Sequence, residues 1–285
     1  MFIVGAIFHS LGTLYHAARP RERRTFLRNI LDFARPLNRT DADRIYFNAK
    51  KGLYEHYTEK MIIATRPMFR IRRFIDRNST FTDHAILDEA LAQGKGVILV
   101  TAHWGAVELV PALLYTHGYP ISIILETTTP QLARSLTRNI GDSDVELIIE
   151  SAGARVLKAG LDALKRGRIL MTQVDEVDAW RKRKTTTIQM FNRPMYFDHM
   201  LDFISQRTDA PAVGIYGRRL RNRKYQFIAE AIHSQGDHPK IAERAYQQWE
   251  QFVLSEPHQW YQWKKWRAML PEHHGTADPG CQDIS

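Results

Sequence analysis

Two hydrophobic patterns run along this chain, and one gives way to the other near residue 82. From Thr25 to about Phe81 apolar residues recur at mixed three- and four-residue spacing: Phe26, Ile30, Leu31 and Phe33, then Ile45, Tyr46, Leu53, Tyr54, Tyr57, Met61 and Ile62. That is the period of amphipathic helices, and Pro36 and Pro67 punctuate it. Thr40-Asp41-Ala42-Asp43 has the form of a helix start, with acids in the first turn. From Thr82 onward, short continuous apolar runs alternate with helical periods. Residues 97–101, 121–125, 146–149, 169–172, 212–216 and 225–232 read as strands, as does the run 187–191. Residues 83–93, 107–117, 130–140, 155–166, 195–207 and 240–254 read as helices, several stopped by a glycine (Gly94, Gly118, Gly167). A last helix is predicted over 259–267.

Alternating strands and helices with short links predict an α/β fold: a central, mainly parallel sheet flanked by helices, with a helical N-terminal part and a helical C-terminal end. The basic turn 218–224 predicts an antiparallel hairpin of the last two strands at one side of the sheet. Three regions follow: 1–81, helical and able to associate with a membrane; 82–270, the α/β core; and 271–285, a flexible tail rich in Gly, Pro, Asp and Ser. The N-terminus, MFIVGAIFHSLGTLYHAARPRERR, carries its positive charge after its apolar run, the reverse of a secretory signal. Two readings stay open there: an interfacial amphipathic helix with arginines at anionic headgroups, or an N-terminal helix packed on the core.

Composition narrows the picture further. A chain of 285 residues, 44% hydrophobic and 25% charged, has material for a sizeable core, which argues against disorder. The formal net charge of +9 suits an anionic partner: a nucleic acid, an anionic bilayer or an acidic carrier. One cysteine, Cys281, excludes an intrachain disulfide and a Cys/His zinc site. No run of about 20 uninterrupted apolar residues is present, so no transmembrane helix is predicted.

The stretch VILVTAHWGAVE, Val97 to Glu108, concentrates the chemistry. A buried strand ends at His103, Trp104-Gly105-Ala106 turns the chain, and Glu108 falls in the first turn of the next helix. In open α/β sheets ligands bind beyond the carboxyl ends of the strands. A histidine there with a nearby carboxylate has the make-up of a general base and its orienting partner, although a structural hydrogen bond would need the same residues. Asp175, in MTQVDEVDA just past the strand 169–172, ends on the same sheet edge if the strands are parallel. Arg134 and Arg138 lie four apart on one helix face. The runs Arg70/Arg72/Arg73, Arg181–Lys184 and Arg218–Lys224 read by default as solvated loops. Three tryptophans at 260, 263 and 266 suggest an acyl groove, a lipid interface or plain packing.

His103-x4-Glu108 after an apolar strand resembles the His-x4-Asp/Glu acyltransferases, and most of all the bacterial lipid A late acyltransferase branch. The likeness extends to Asp175-Glu176 and Asp178, similar to that branch's DQD-like element but with Glu where Gln is usual. It includes Arg138 followed by Gly141, and Phe191-Asn192-Arg193-Pro194, where Asn-Arg replaces an aromatic and a Gly. It closes with Pro257 to Arg267, a Pro, an aromatic helix and a basic end; in all it covers 83–267. The phosphate-binding block of the glycerolipid branch is absent. The resemblance implies transfer of a fatty acyl chain from a thioester, on acyl carrier protein or coenzyme A, to a hydroxyl or amine of a membrane glycolipid. It implies His103 as base and Glu108 holding its tautomer, with the backbone N–H groups of Gly105 and Ala106 at the oxyanion. Arg138 or Arg193 would assist, Arg155 would be a poorer candidate, and Asp175 would position an acceptor hydroxyl or an arginine. It implies no metal or redox cofactor, an anionic membrane surface as partner, no nucleic acid, and a peripheral or monotopic place on the cytoplasmic face of the inner membrane. The competing readings are a basic nucleic-acid-binding protein, suggested by charge with interleaved aromatics, and a thioester hydrolase using the same His and Glu.

Overall fold

The computed structural model describes residues 19–33, 39–125, 144–149, 153–177, 186–233 and 240–271. Three helices come first: α1 (Pro20–Phe33), α2 (Arg39–Thr65) and α3 (Met68–Asn78). Then follow β1 (Ser79–Thr82), α4 (Ala85–Ala92), β2 (Val97–Thr101), a short 3₁₀ turn (Val107–Leu109) and α5 (Val110–Thr116). After β3 (Ile121–Leu125) and β4 (Val145–Ile149) come α6 (Gly153–Lys165) and β5 (Ile169–Gln173). A hairpin of β6 (Thr187–Met190) and β7 (Arg193–Tyr196) leads to α7 (Met200–Thr208), β8 (Ala212–Arg219), β9 (Tyr225–Ile232) and α8 (Ile241–Ser255).

Seven strands form one sheet in the order β1-β9-β8-β2-β5-β3-β4. β8, β2, β5, β3 and β4 run parallel, while β9 is antiparallel to β8 and parallel to β1. The expected mainly parallel α/β sheet is therefore present. β2 is buried at every position, which is why it reads as a continuous apolar run: helices cover both faces of a parallel sheet. Ile98 and Val100 face a core shared with α1, α6, α7, α8 and the C-terminal tryptophans. Val97 and Leu99 face the other core, built with Ile71 and Ile75 of α3, Leu87 of α4 and Leu113 of α5.

The structure departs from the periodicity in three places. β1, Ser-Thr-Phe-Thr, pairs outside β9, so the β8–β9 hairpin is not the outermost element of its side. The helix expected from residue 195 begins at Met200 instead. Met190 pairs with Arg193 across a two-residue turn, and both turn residues, Phe191 and Asn192, have positive φ (51° and 59°), as a tight hairpin requires. Pro194 therefore lies in a strand of a two-stranded ribbon and does not open a helix. The segment 259–267 is not one helix but two 3₁₀ turns, Pro257–Gln259 and Trp263–Met269. The helix expected over 130–140 lies outside the described residues. Among the described residues, no helix is long and apolar enough to cross a membrane.

Candidate active site

Adjacent parallel strands assemble the site. β2 and β5 pair in register, Thr101 opposite Gln173, and the chain leaves each strand at the same edge. His103 lies two residues beyond Thr101 and Asp175 two beyond Gln173, so residues 72 apart in sequence meet. Val174 N–H donates to Thr101 C=O (2.9 Å), extending the pairing past the strand ends.

The contact is a closed set of hydrogen bonds. His103 Nδ1 lies 3.0 Å from Asp175 Oδ1, and the His103 backbone N–H reaches both carboxylate oxygens at 3.0 Å. Trp260 Nε1–H donates to Asp175 Oδ2 at 2.8 Å. Asp175 is fully buried, and its fully buried indole partner comes from the C-terminal turn. Burial alone would raise the Asp175 carboxyl, but the His103 imidazole, the Trp260 indole and the His103 N–H outweigh it and hold the group below its ordinary value. Burial likewise pushes the His103 imidazole down, and the Asp175 carboxylate with Glu176 more than restores it, leaving it raised. An ionised Asp175 fixes the neutral tautomer: Nδ1 carries the proton and Nε2 keeps a free lone pair. Nε2 lies 3.7 Å from Glu176 Oε2, and Lys265 Nζ holds Glu176 at 2.8 Å.

The expected partner, Glu108, is elsewhere. The 3₁₀ turn carries it toward α2, where its Oε1 lies 3.3 Å from His56 Nδ1. The tautomer of His103 is thus set by Asp175, and Glu108 bears on His103 through charge: the imidazolium, like Lys60 and Arg219, favours the ionised form of a carboxyl that burial raises. Asp175, expected to position an acceptor hydroxyl or an arginine, is instead spent on His103 and Trp260.

The amides of Gly105 and Ala106, expected at the oxyanion, are already committed. Gly105 N–H donates to Gln259 C=O at 2.9 Å, and Ala106 N–H donates to Gly217 C=O at 2.6 Å. These bonds stitch the loop after His103 to β8 and to the C-terminal turn. The stitch needs glycine: Gly105 has φ 57°, and a Cβ there would come within 1.9 Å of Gly217 O.

Arg193 is committed too. It donates to Asp32 Oδ2 (3.1 Å) and to the Asp32 carbonyl (2.7 Å), and its guanidinium lies 5.6 Å from the Trp266 ring centre, so it ties β7 to α1. Arg138 lies outside the described residues, as do Asp178 and the basic run 181–184. The backbone of Arg155 is in α6, and its side chain is likewise outside the description. Trp260, Trp263 and Trp266 are fully buried, packed on one another and on Phe33 and Trp249. A cleft lined by Asp144, Val145, Glu146, Arg166 and Arg168 opens at the amino ends of β4 and β5, the edge opposite His103. Its arginines are paired with Asp144 and Glu146, and it holds no acid–base pair of the His103 kind.

Four residues near the site escape the sequence reading: His56, Glu59, Arg219 and Tyr261. For the first two a signal existed. Ala42, Ile45, Ala49, Gly52, His56 and Glu59 recur at 3-4-3-4-3 spacing, and every one is buried. Two ionisable residues inside a buried helical stripe mark a polar network.

The sequence model of the bacterial lipid A biosynthesis acyltransferases matches residues 2–267, nearly the whole chain. No curated protein matches the chain.

Proposed function

Because the chain belongs to the bacterial lipid A biosynthesis acyltransferase family, we propose that it moves a fatty acyl chain from a thioester, on acyl carrier protein or coenzyme A, to a hydroxyl of a membrane glycolipid, with His103 as general base. One observation carries the assignment: the His103–Asp175 pair at the carboxyl edge of the sheet, in which Asp175 engages Nδ1 and leaves Nε2 on the side of Glu176. The acceptor O–H gives its proton to Nε2 as the oxygen attacks the thioester carbonyl. The O–C bond forms, the tetrahedral intermediate expels the thiolate by breaking C–S, and the thiolate recovers the proton from Nε2–H. Base catalysis of this kind contributes about 10²–10⁴-fold. Asp175 keeps the tautomer and, with Glu176, offsets the imidazolium charge, a charge with which the buried Glu108 also interacts. The acceptor is itself the nucleophile, so no acyl-enzyme is needed.

The reaction takes place where one substrate is a lipid, which fits a peripheral position on an anionic membrane, at the cytoplasmic face where acyl thioesters are available. The net charge of +9 supports that partner. The test is transfer of label from an acyl thioester incubated with total lipid extract. Label in the lipid fraction with wild type, and none with His103→Ala, is the expected result. Label recovered only as free fatty acid would overturn the transferase in favour of a hydrolase, and an active His103→Ala would overturn the base.

A further inference from the structure

A second set of buried polar groups, delivered by α2, flanks the catalytic pair. His56 Nδ1 lies 3.3 Å from Glu108 Oε1 and 2.9 Å from the Tyr261 hydroxyl. The Tyr261 ring stands edge-on to His103, 5.8 Å between centres, and its N–H donates to the His103 carbonyl at 3.3 Å. Arg219 lies 5.7 Å from the Tyr261 ring centre and holds Glu59 with two hydrogen bonds of 2.9 and 2.8 Å. Glu59 is three residues beyond His56 on the same face of α2. His56, Glu59 and Tyr261 are all more than nine-tenths buried, so these groups depend on one another and not on water for their hydrogen bonds.

We propose that His56 is a positioning residue for the transfer reaction: it holds the Glu108 carboxylate within the buried polar set that flanks His103, so that the N-terminal helical layer completes a site whose other parts come from the sheet edge. The inference rests on the reading of His103 as the base and of Glu108 as the anion favouring its protonated form.

Chemistry settles the direction of the His56–Glu108 contact. The groups facing Glu108 are His56, Lys60 and Glu59 from α2, His103 from its own loop, Arg219 from β8 and Tyr261 from the C-terminal turn. His56 is neutral, pushed down to about 2 by burial first and then by His103, Lys60 and Arg219. A neutral imidazole has one N–H and one lone pair. A lone pair on Nδ1 would face an ionised carboxylate and be repelled. A proton on Nδ1 faces the Tyr261 oxygen at 2.9 Å and Glu108 Oε1 at 3.3 Å, and as a donor it holds the carboxylate in place.

A double-mutant cycle on acyl transfer tests this, with His56→Phe and Glu108→Gln singly and together, each variant's thermal unfolding recorded. His56→Phe is expected to lower kcat about 10-fold with KM within about twofold, while His56→Asn, whose amide can donate from near the Nδ1 position, retains most of kcat. In the Glu108→Gln background the added His56→Phe change should cost less than about twofold, because the group it positions is gone. If His56→Phe unfolds, His56→Gln supplies the same cycle, with the same non-additivity expected. Wild-type kcat in the folded His56 variant, or an equal loss in both backgrounds, would overturn the proposal. Additive effects together with an inactive His103→Ala would overturn it while leaving the base assignment in place.

Discussion

Asp175 serves His103 three times over: Oδ1 takes the imidazole N–H, both oxygens take the backbone N–H, and Oδ2 is fixed from behind by Trp260. The pair also gives stability a definite pH window. The Asp175 carboxyl is lowered, so its contribution is present above its unfolded value of 3.8 and is lost as pH falls through the lower folded value. The His103 imidazole is raised, so its contribution is full below 6.5 and is lost as pH rises through the higher folded value. Both act together only between those two figures. The difference in urea midpoint between wild type and Asp175→Asn is therefore expected to be largest in that window. It should fall on the acid side, and on the basic side it should shrink toward what the hydrogen bonds alone supply. A difference that does not move with pH would contradict the assignment.

Between elements, the contact that matters most for the site is the clasp of α2 on β8 by Glu59 and Arg219, whose side chains are 3% and 8% exposed. Removing one partner of a buried pair leaves the other charge uncompensated. Glu59→Ala is expected to cost about 3–5 kcal/mol in urea denaturation, and Glu59→Leu with Arg219→Met to recover most of it, since a well-packed apolar pair avoids the desolvation cost. A Glu59→Ala loss under about 1 kcal/mol, typical of surface pairs, would contradict this. Much at this scale was legible beforehand. Strands buried on both faces are continuous apolar runs, so β2, β5 and β8 stood out, and glycines marked the helix ends. β1 did not, because four residues beginning Ser-Thr at the sheet margin carry no apolar run. The 191–192 turn did not, because Pro194 looks like the start of a helix. The partner of His103 was hidden for a topological reason. β5 follows β3 and β4 in the chain yet inserts beside β2, and only that insertion brings Asp175 to His103, while the near-in-sequence Glu108 is turned toward α2.

Across the whole molecule, helices α2 and α3 present apolar side chains to solvent: Phe47, Tyr57 and Met61 on α2 are 51%, 46% and 43% exposed, and Phe69 on α3 is 61% exposed. At 100° per residue the three on α2 fall within an arc of about 80°, an arc that also holds Lys50. Its ammonium sits 5.5 Å from the Phe47 ring centre, so aromatic and cationic groups lie together as an anionic lipid interface favours. Replacing Phe47, Tyr57 and Met61 together by Ser is expected to weaken binding to anionic vesicles about 10-fold or more. Cosedimentation unchanged by the triple substitution would exclude this face as the docking surface. Membership of a lipid A acyltransferase family, a basic surface and an acid–base pair at the sheet edge all converge on one catalytic group. The most direct measurement is kcat/KM for acyl transfer to lipid by His103→Ala against wild type, both folded. The account predicts a fall of about 10²–10⁴-fold, and rates within about twofold of each other would contradict it.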